Sequence, residues 1–125
     1  MRYFLSLGSN INARANIKFA ISELGKLLED LEVSSIYQTP AEGFDGDDFL
    51  NLAAVGASEL DFKSFNLCLK EIENVSGRDR AAPKFSARTL DIDIVLQIDD
   101  SDDIIFESEE IGKYQFVSKP LQELI

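Results

Sequence analysis

Apolar and polar positions alternate from the start of the chain. Tyr3, Leu5 and Leu7 interleave with Arg2, Phe4 and Ser6, which predicts a strand apolar on both faces and therefore central, ended by Gly8-Ser9-Asn10. From Asn12, a residue type suited to an N-cap, the residues Ile17, Ala20, Ile21, Leu24 and Leu28 recur at three and four, predicting an amphipathic helix to about Glu29. Leu31 to Tyr37 reads as a second strand, stopped by Thr39-Pro40 because proline lacks a ladder donor and restricts the residue before it. Ala41 to Asp48 has the glycines and aspartates of a surface loop. Phe49 to Ala57 is a third strand, apolar except for Asn51, an amide that needs hydrogen bonds in such surroundings. Asp61 suits the cap of a second helix with the stripe Phe62, Phe65, Leu69 and Ile72, ended near Gly77 at a left-handed C′ position. The loop Arg78 to Ala87 leads into a fourth strand, Arg88 to Leu96. Beyond it follow an acidic turn (Asp99, Asp100, Asp102, Asp103), a short apolar piece at Ile104-Ile105-Phe106, a second acidic run (Glu107, Glu109, Glu110), a short strand over Tyr114 to Val117, and a helix start with Pro120 near its beginning. The order β-α-β-β-α-β predicts an α+β, ferredoxin-like sandwich, an antiparallel sheet with two helices on one face and a short C-terminal strand extension.

The fourth strand carries the chemistry. Leu90, Ile92, Ile94 and Leu96 share one parity, and Thr89, Asp91 and Asp93 share the other. Aspartate is disfavoured in strands, and two on one face lie about 6.5 to 7 Å apart, where like charges oppose full ionisation. A hard dication shared by both carboxylates and by substrate phosphates resolves that conflict. The basic residues Arg78, Arg80, Lys84 and Arg88 just upstream suit phosphate oxygens. The same pattern also suits a half-buried strand whose polar face meets solvent, with Arg88 and nearby lysines as ion-pair partners. Asn51 likewise divides between an amide satisfied by the adjacent loop and one that binds a ligand.

Composition narrows the choice. The 125 residues, 45% hydrophobic with one Cys and no Trp, fit a single domain over 1–125. Cys68, in a helical pattern, is expected to be a small core residue. No apolar run approaches the ~20 residues of a membrane span, and Met1-Arg2-Tyr3-Phe4-Leu5 runs straight into a strand pattern, so a cytoplasmic protein is expected. A net charge of −11 argues against nucleic acid or an anionic membrane as partner. Any nucleotide site must then rest on a local basic patch or on metal. The absence of histidine excludes His-based triads, bases and metal ligands.

Several short motifs in order, Leu7-Gly8-Ser9-Asn10, Tyr37-Gln38-Thr39, Phe49-Leu50-Asn51, Glu73 with Gly77-Arg78-Asp79-Arg80, and Arg88-Thr89-Leu90-Asp91-Ile92-Asp93-Ile94, extend over almost the whole chain. Together they resemble the 6-hydroxymethyl-7,8-dihydropterin pyrophosphokinase family, the last motif being its most specific signature. The resemblance implies transfer of pyrophosphate from ATP to the pterin hydroxymethyl, with release of AMP, in folate biosynthesis. It implies two Mg²⁺ ions on Asp91 and Asp93, with Arg80 and Arg88 beside them in catalysis. It places Glu73, Arg78, Arg80, Lys84, Arg88 and Ile94 on the ATP side, and Thr39, Phe49, Asn51, Phe85 and Phe116 on the pterin side, where Phe49 and Phe116 would stack on the ring. ATP and a pterin are the implied partners, with a monomer as the default. The chain departs from the family at Glu107-Ser108 and Tyr114, where members carry Pro-His and a basic residue for phosphates, and in the Thr39-Pro40 spacing; members also continue past Pro120-Leu121.

Three functions therefore stand: a pyrophosphokinase, a divergent paralogue that binds pterin or nucleotide with little or no transfer, and a ferredoxin-like domain without a ligand. AMP formation singles out the first. Pterin binding without AMP marks the second.

Overall fold

The computed structural model describes residues 1–41, 46–77 and 89–125. Its elements in chain order are β1 (Arg2–Ser9), α1 (Ala13–Leu27), β2 (Glu29–Val33), β3 (Tyr37–Thr39), β4 (Phe49–Ala57), α2 (Phe62–Val75), β5 (Asp91–Ile98), β6 (Ile104–Glu107), α3 (Glu110–Lys113) and α4 (Gln115–Gln122). The six strands form one antiparallel sheet in the order β2-β4-β1-β5-β6, with β3 also paired to β4. This is the predicted ferredoxin-like α+β arrangement, with β1 at its centre as its two-faced apolar pattern requires.

Two cores flank the sheet. On one side Tyr3, Leu5, Leu7, Leu52, Ala54, Ile92 and Ile94 meet Ile17, Ala20 and Leu24 of α1 and Phe65, Leu69 and Ile72 of α2. On the other side Phe4, Ala53, Val55, Val95 and Leu96 meet Val117 and Leu121 of α4. A third layer thus joins the two-layer sandwich expected from the sequence.

Several expectations are corrected. The strand predicted over 31–37 is two strands. Between them Ser34 donates its N–H to the Ala53 carbonyl at 2.9 Å, and its hydroxyl oxygen accepts the Ala53 N–H at 2.8 Å, so a side chain replaces a ladder carbonyl and the strand breaks. Helix α1 stops at Leu27; Leu28 is extended and packs on Gly56, where a Cβ would lie 2.7 Å from Leu28 Cβ. Asn12 stands at the cap position in a left-handed conformation (φ 45°) without a side-chain cap bond, whereas Asp61 accepts the Ser64 N–H at 2.8 Å as expected. Gly77 adopts the predicted left-handed conformation, φ 93°.

Tyr114 to Val117, predicted as a strand, begins a helix: Val117 and Leu121 lie four apart and bury against the sheet. Pro120 falls near the end of α4 rather than near its start, and the helix ends two residues later. Cys68 is half-buried at the margin of the α2 stripe rather than in the core. The parity of β5 also changes. Leu5 pairs with Ile94 but Phe4 pairs with Leu96, so Val95 is an extra residue, a bulge that turns Leu96 to the α4 side while Leu90, Ile92 and Ile94 stay on the side of α1 and α2.

Candidate active site

The motif Gly8-Ser9-Asn10 at the end of β1 joins the two halves of the site. Gly8 is the register partner of Asn51 on β4 and of Asp91 on β5. Directly opposed residues share a face, so the amide and the carboxylate stand on the same side of the sheet, about two strand spacings or 10 Å apart. A Cβ on Gly8 would meet Asn51 Oδ1 at 3.0 Å and Phe49 Cδ1 at 3.7 Å. Glycine is what allows those two side chains to lie over the central strand. Ser9 donates its hydroxyl to the Thr89 carbonyl at 2.5 Å, and Asn10 donates its amide to the Asp47 carbonyl at 3.0 Å. The end of β1 thereby fixes both the approach to β5 and the entry to β4.

On the β4 side, Thr39 pairs with Phe49 and Tyr37 with Asn51, which sets all four on one face. Asn51, buried, donates from Nδ2 to Thr39 Oγ1 at 2.5 Å, the partner that the local sequence did not reveal. Tyr37 and Ser35 in turn bond the Glu123 carboxylate just past α4, Ser35 through its N–H at 2.9 Å. That contact ties α4 to β3. Phe116, in the first turn of α4, is half-buried and stacks on Tyr114 with ring centroids 4.9 Å apart. The position where the family has a basic residue is thus spent on ring packing. Ser108 donates its N–H to the Val95 carbonyl at 2.8 Å, a backbone role.

On the β5 side, carboxylate oxygens of Asp91, Asp93 and Glu73 lie within 4.8 Å of one another. Glu73 reaches this group from α2. It is fully buried, and its Oε2 accepts the N–H of Ile92 at 2.6 Å. Lys70, one turn earlier, donates to the Ile92 carbonyl at 2.9 Å, to Glu73 Oε2 at 3.0 Å and to Asp93 Oδ1 at 3.3 Å. The β6 ladder begins only at Leu96, so the two side chains of α2 satisfy the outer edge of β5 at Ile92 in place of a neighbouring strand. Burial, followed by the Asp91 charge, pushes the Asp93 carboxyl up to about 6 against the pull of Lys70. Burial draws the Lys70 ammonium down, but Asp93 and Glu73 outweigh it and hold its pKa above the ordinary value.

These donors suit a hard dication. They are all oxygens, and two of them belong to half-exposed aspartates; Glu73 Oε2 is already engaged by Ile92 and Lys70, which makes Glu73 a wall of the site more than a ligand. Ile94 points its side chain into the helix-side core, away from the carboxylates. Arg78, Arg80, Lys84, Phe85 and Arg88 lie outside the described residues. Lys70, Gly8, Ser9 and Asn10 were missed as individual contributors. A lysine on an amphipathic helix reads as solvated, and the motif around Gly8 gave no chemistry until the register was known.

An antiparallel ferredoxin-like sheet with paired aspartates on one strand and a buried amide two strands away defines a class of small α+β proteins. The comparisons name it: residues 4–125 match the model of the 7,8-dihydro-6-hydroxymethylpterin-pyrophosphokinase (HPPK) family, and the chain belongs to that family. It is 34% identical over 99 aligned positions to the 2-amino-4-hydroxy-6-hydroxymethyldihydropteridine pyrophosphokinase of Aquifex aeolicus, covering 78% of this chain and 61% of that protein. It is 36% identical over 124 positions to the folate synthesis bifunctional protein of Chlamydia caviae, covering 90% of this chain and 28% of the relative. The corresponding protein of Arabidopsis thaliana is 32% identical over 130 positions, covering 97% and 26%. The chain therefore spans between about a quarter and three fifths of the length of these relatives. No helix among the described residues is long and apolar enough to cross a membrane.

Proposed function

We propose that this chain transfers pyrophosphate from ATP to the hydroxymethyl group of 6-hydroxymethyl-7,8-dihydropterin. The pterin oxygen attacks the β-phosphorus, the bond from that phosphorus to the oxygen bridging it to the α-phosphorus breaks, AMP leaves, and the hydroxyl proton passes to solvent. The observation that carries this reading is the shared register of Asn51 and Asp91 on Gly8, which sets an amide suited to a pterin edge and a carboxylate pair suited to metal-bound phosphates on one face.

Asp91 and Asp93 would hold a pair of Mg²⁺ ions. Such ions, when bound, neutralise the polyphosphate and polarise the phosphorus under attack. The other groups position. Asn51 and Thr39 read the pterin edge, and Phe49 and Phe116 stack on the ring. Arg80 and Arg88 take the developing charge, with Arg78 and Lys84 beside them on the ATP side. Glu73 braces β5 from behind, and Ile94 contributes through its backbone because its side chain is in the core. Phe85 belongs to the pterin side in this reading.

Incubation of the protein with Mg²⁺, ATP and the pterin, followed by chromatography of the nucleotides, tests the proposal. AMP formed only when pterin is present supports it. A bound pterin with no AMP opposes it.

A further inference from the structure

Lys70 is the cation that, among the described residues, the structure sets against the carboxylates of β5. Its three ammonium donors face three oxygens, those of Ile92, Glu73 and Asp93, at 2.9, 3.0 and 3.3 Å. The side chain keeps 31% of its exposure, so it reaches this position along the edge of α2 rather than from within the core. A fixed ammonium here has two opposite effects. With no metal it offsets the repulsion among three carboxylates whose oxygens lie within 4.8 Å, and it holds the Asp93 carboxylate in one direction. Toward an arriving dication the same charge is repulsive, and it contends for an Asp93 oxygen.

We propose that Lys70 is a positioning residue of the metal site, a resident counter-ion that presets Asp93 and keeps affinity for a lone divalent ion low, so that the ion is retained together with a polyphosphate. This rests on the reading of Asp91 and Asp93 as metal ligands. Lys70 is half-buried on a helix whose buried members are apolar apart from Glu73, so the Lys70–Glu73 pair is a distinct polar feature of that face.

Mn²⁺ binding to the nucleotide-free full chain, followed by the loss of the free-ion electron spin resonance signal, tests it. Lys70→Met is expected to bind Mn²⁺ about tenfold tighter than the native chain, because a like charge within a few ångströms has been removed. It is also expected to melt at a lower temperature in EDTA and to regain its melting temperature when Mn²⁺ is added. Lys70→Arg, which keeps the charge, stays within about threefold of the native affinity. Equal or weaker Mn²⁺ binding by Lys70→Met overturns the proposal. Should that variant fail to fold, Lys70→Gln is read by the same criterion. Adding Asp91→Asn and Asp93→Asn to the Lys70→Met background separates the two claims: tight Mn²⁺ binding that survives there removes the metal ligands themselves, whereas its loss leaves them standing whatever Lys70 does.

Discussion

Glu73 Oε2 accepts the backbone N–H of Ile92 at 2.6 Å, so a helix side chain holds the strand residue that lies between the two aspartates. Ile92 pairs with Leu7 of β1 on one side, while on the other side of β5 the β6 pairing begins only at Leu96, and the Ile92 side chain is buried under α1 and α2. The spacing of Asp91 and Asp93 is therefore set from behind by α2 as well as from the side by β1.

Glu73→Ala leaves the Ile92 amide buried without its acceptor. That loss costs about 1 to 3 kcal/mol, and the cavity adds to it. A fall in Tm of roughly 5 to 15 °C is expected. Glu73→Gln keeps an oxygen for the amide and should lose less. Thermal melts of the two variants by circular dichroism check the order.

The raised pKa of Asp93 fixes a pH dependence. Its ordinary value is 3.8 and its folded value about 6, so between these the folded state binds the proton more tightly than the unfolded one. Asp93 then contributes stability that is complete below pH 3.8 and lost as pH rises through about 6. Melts in EDTA should show Asp93→Asn more stable than the native chain at pH 8, with the difference shrinking toward pH 4. A difference that grows toward acid would contradict the assignment. Asp61 and Glu123 act in the opposite sense. The Ser64 backbone N–H holds Asp61 low, and the Ser35 backbone N–H does the same for Glu123, so their contributions are lost as pH falls.

Gly8→Ala should weaken pterin binding more than it weakens the fold, since the new methyl meets Asn51 Oδ1 at 3.0 Å near the end of the central strand. Asn51→Leu removes the amide outright, and a loss of roughly 10 to 100-fold in pterin affinity is expected for one or two buried hydrogen bonds. Pterin titration by fluorescence measures both. Mn²⁺ binding should be unchanged in either variant, because β5 is untouched.

How far the sequence alone reaches is clear from particular residues. Strand β1, helix α2 with its Asp61 cap and the two aspartates of β5 were legible, because period-2 and period-3.6 patterns are strong there. Val95 and Leu96 are both apolar, so no pattern marks the bulge between them. Tyr114 to Val117 combines aromatic and β-branched residues, which favour a strand locally, and only the packing of Val117 and Leu121 on the sheet decides for a helix. Lys70 meets Glu73 three positions on, but its other two partners lie 22 and 23 positions away on β5, beyond the reach of any local rule. Asn51 was singled out as a buried amide, but its bond to Thr39 depends on the pairing of β3 with β4.

The most direct test of the whole account is AMP release from Mg²⁺-ATP and 6-hydroxymethyl-7,8-dihydropterin by the native chain beside Asp91→Asn and Asp93→Asn. Each substitution should lower the rate by roughly 10²-fold or more while the circular dichroism spectrum stays native, as expected when charge stabilisation at the transferring group is lost. AMP formed at the native rate by both variants would contradict the assignment of those carboxylates to the reaction.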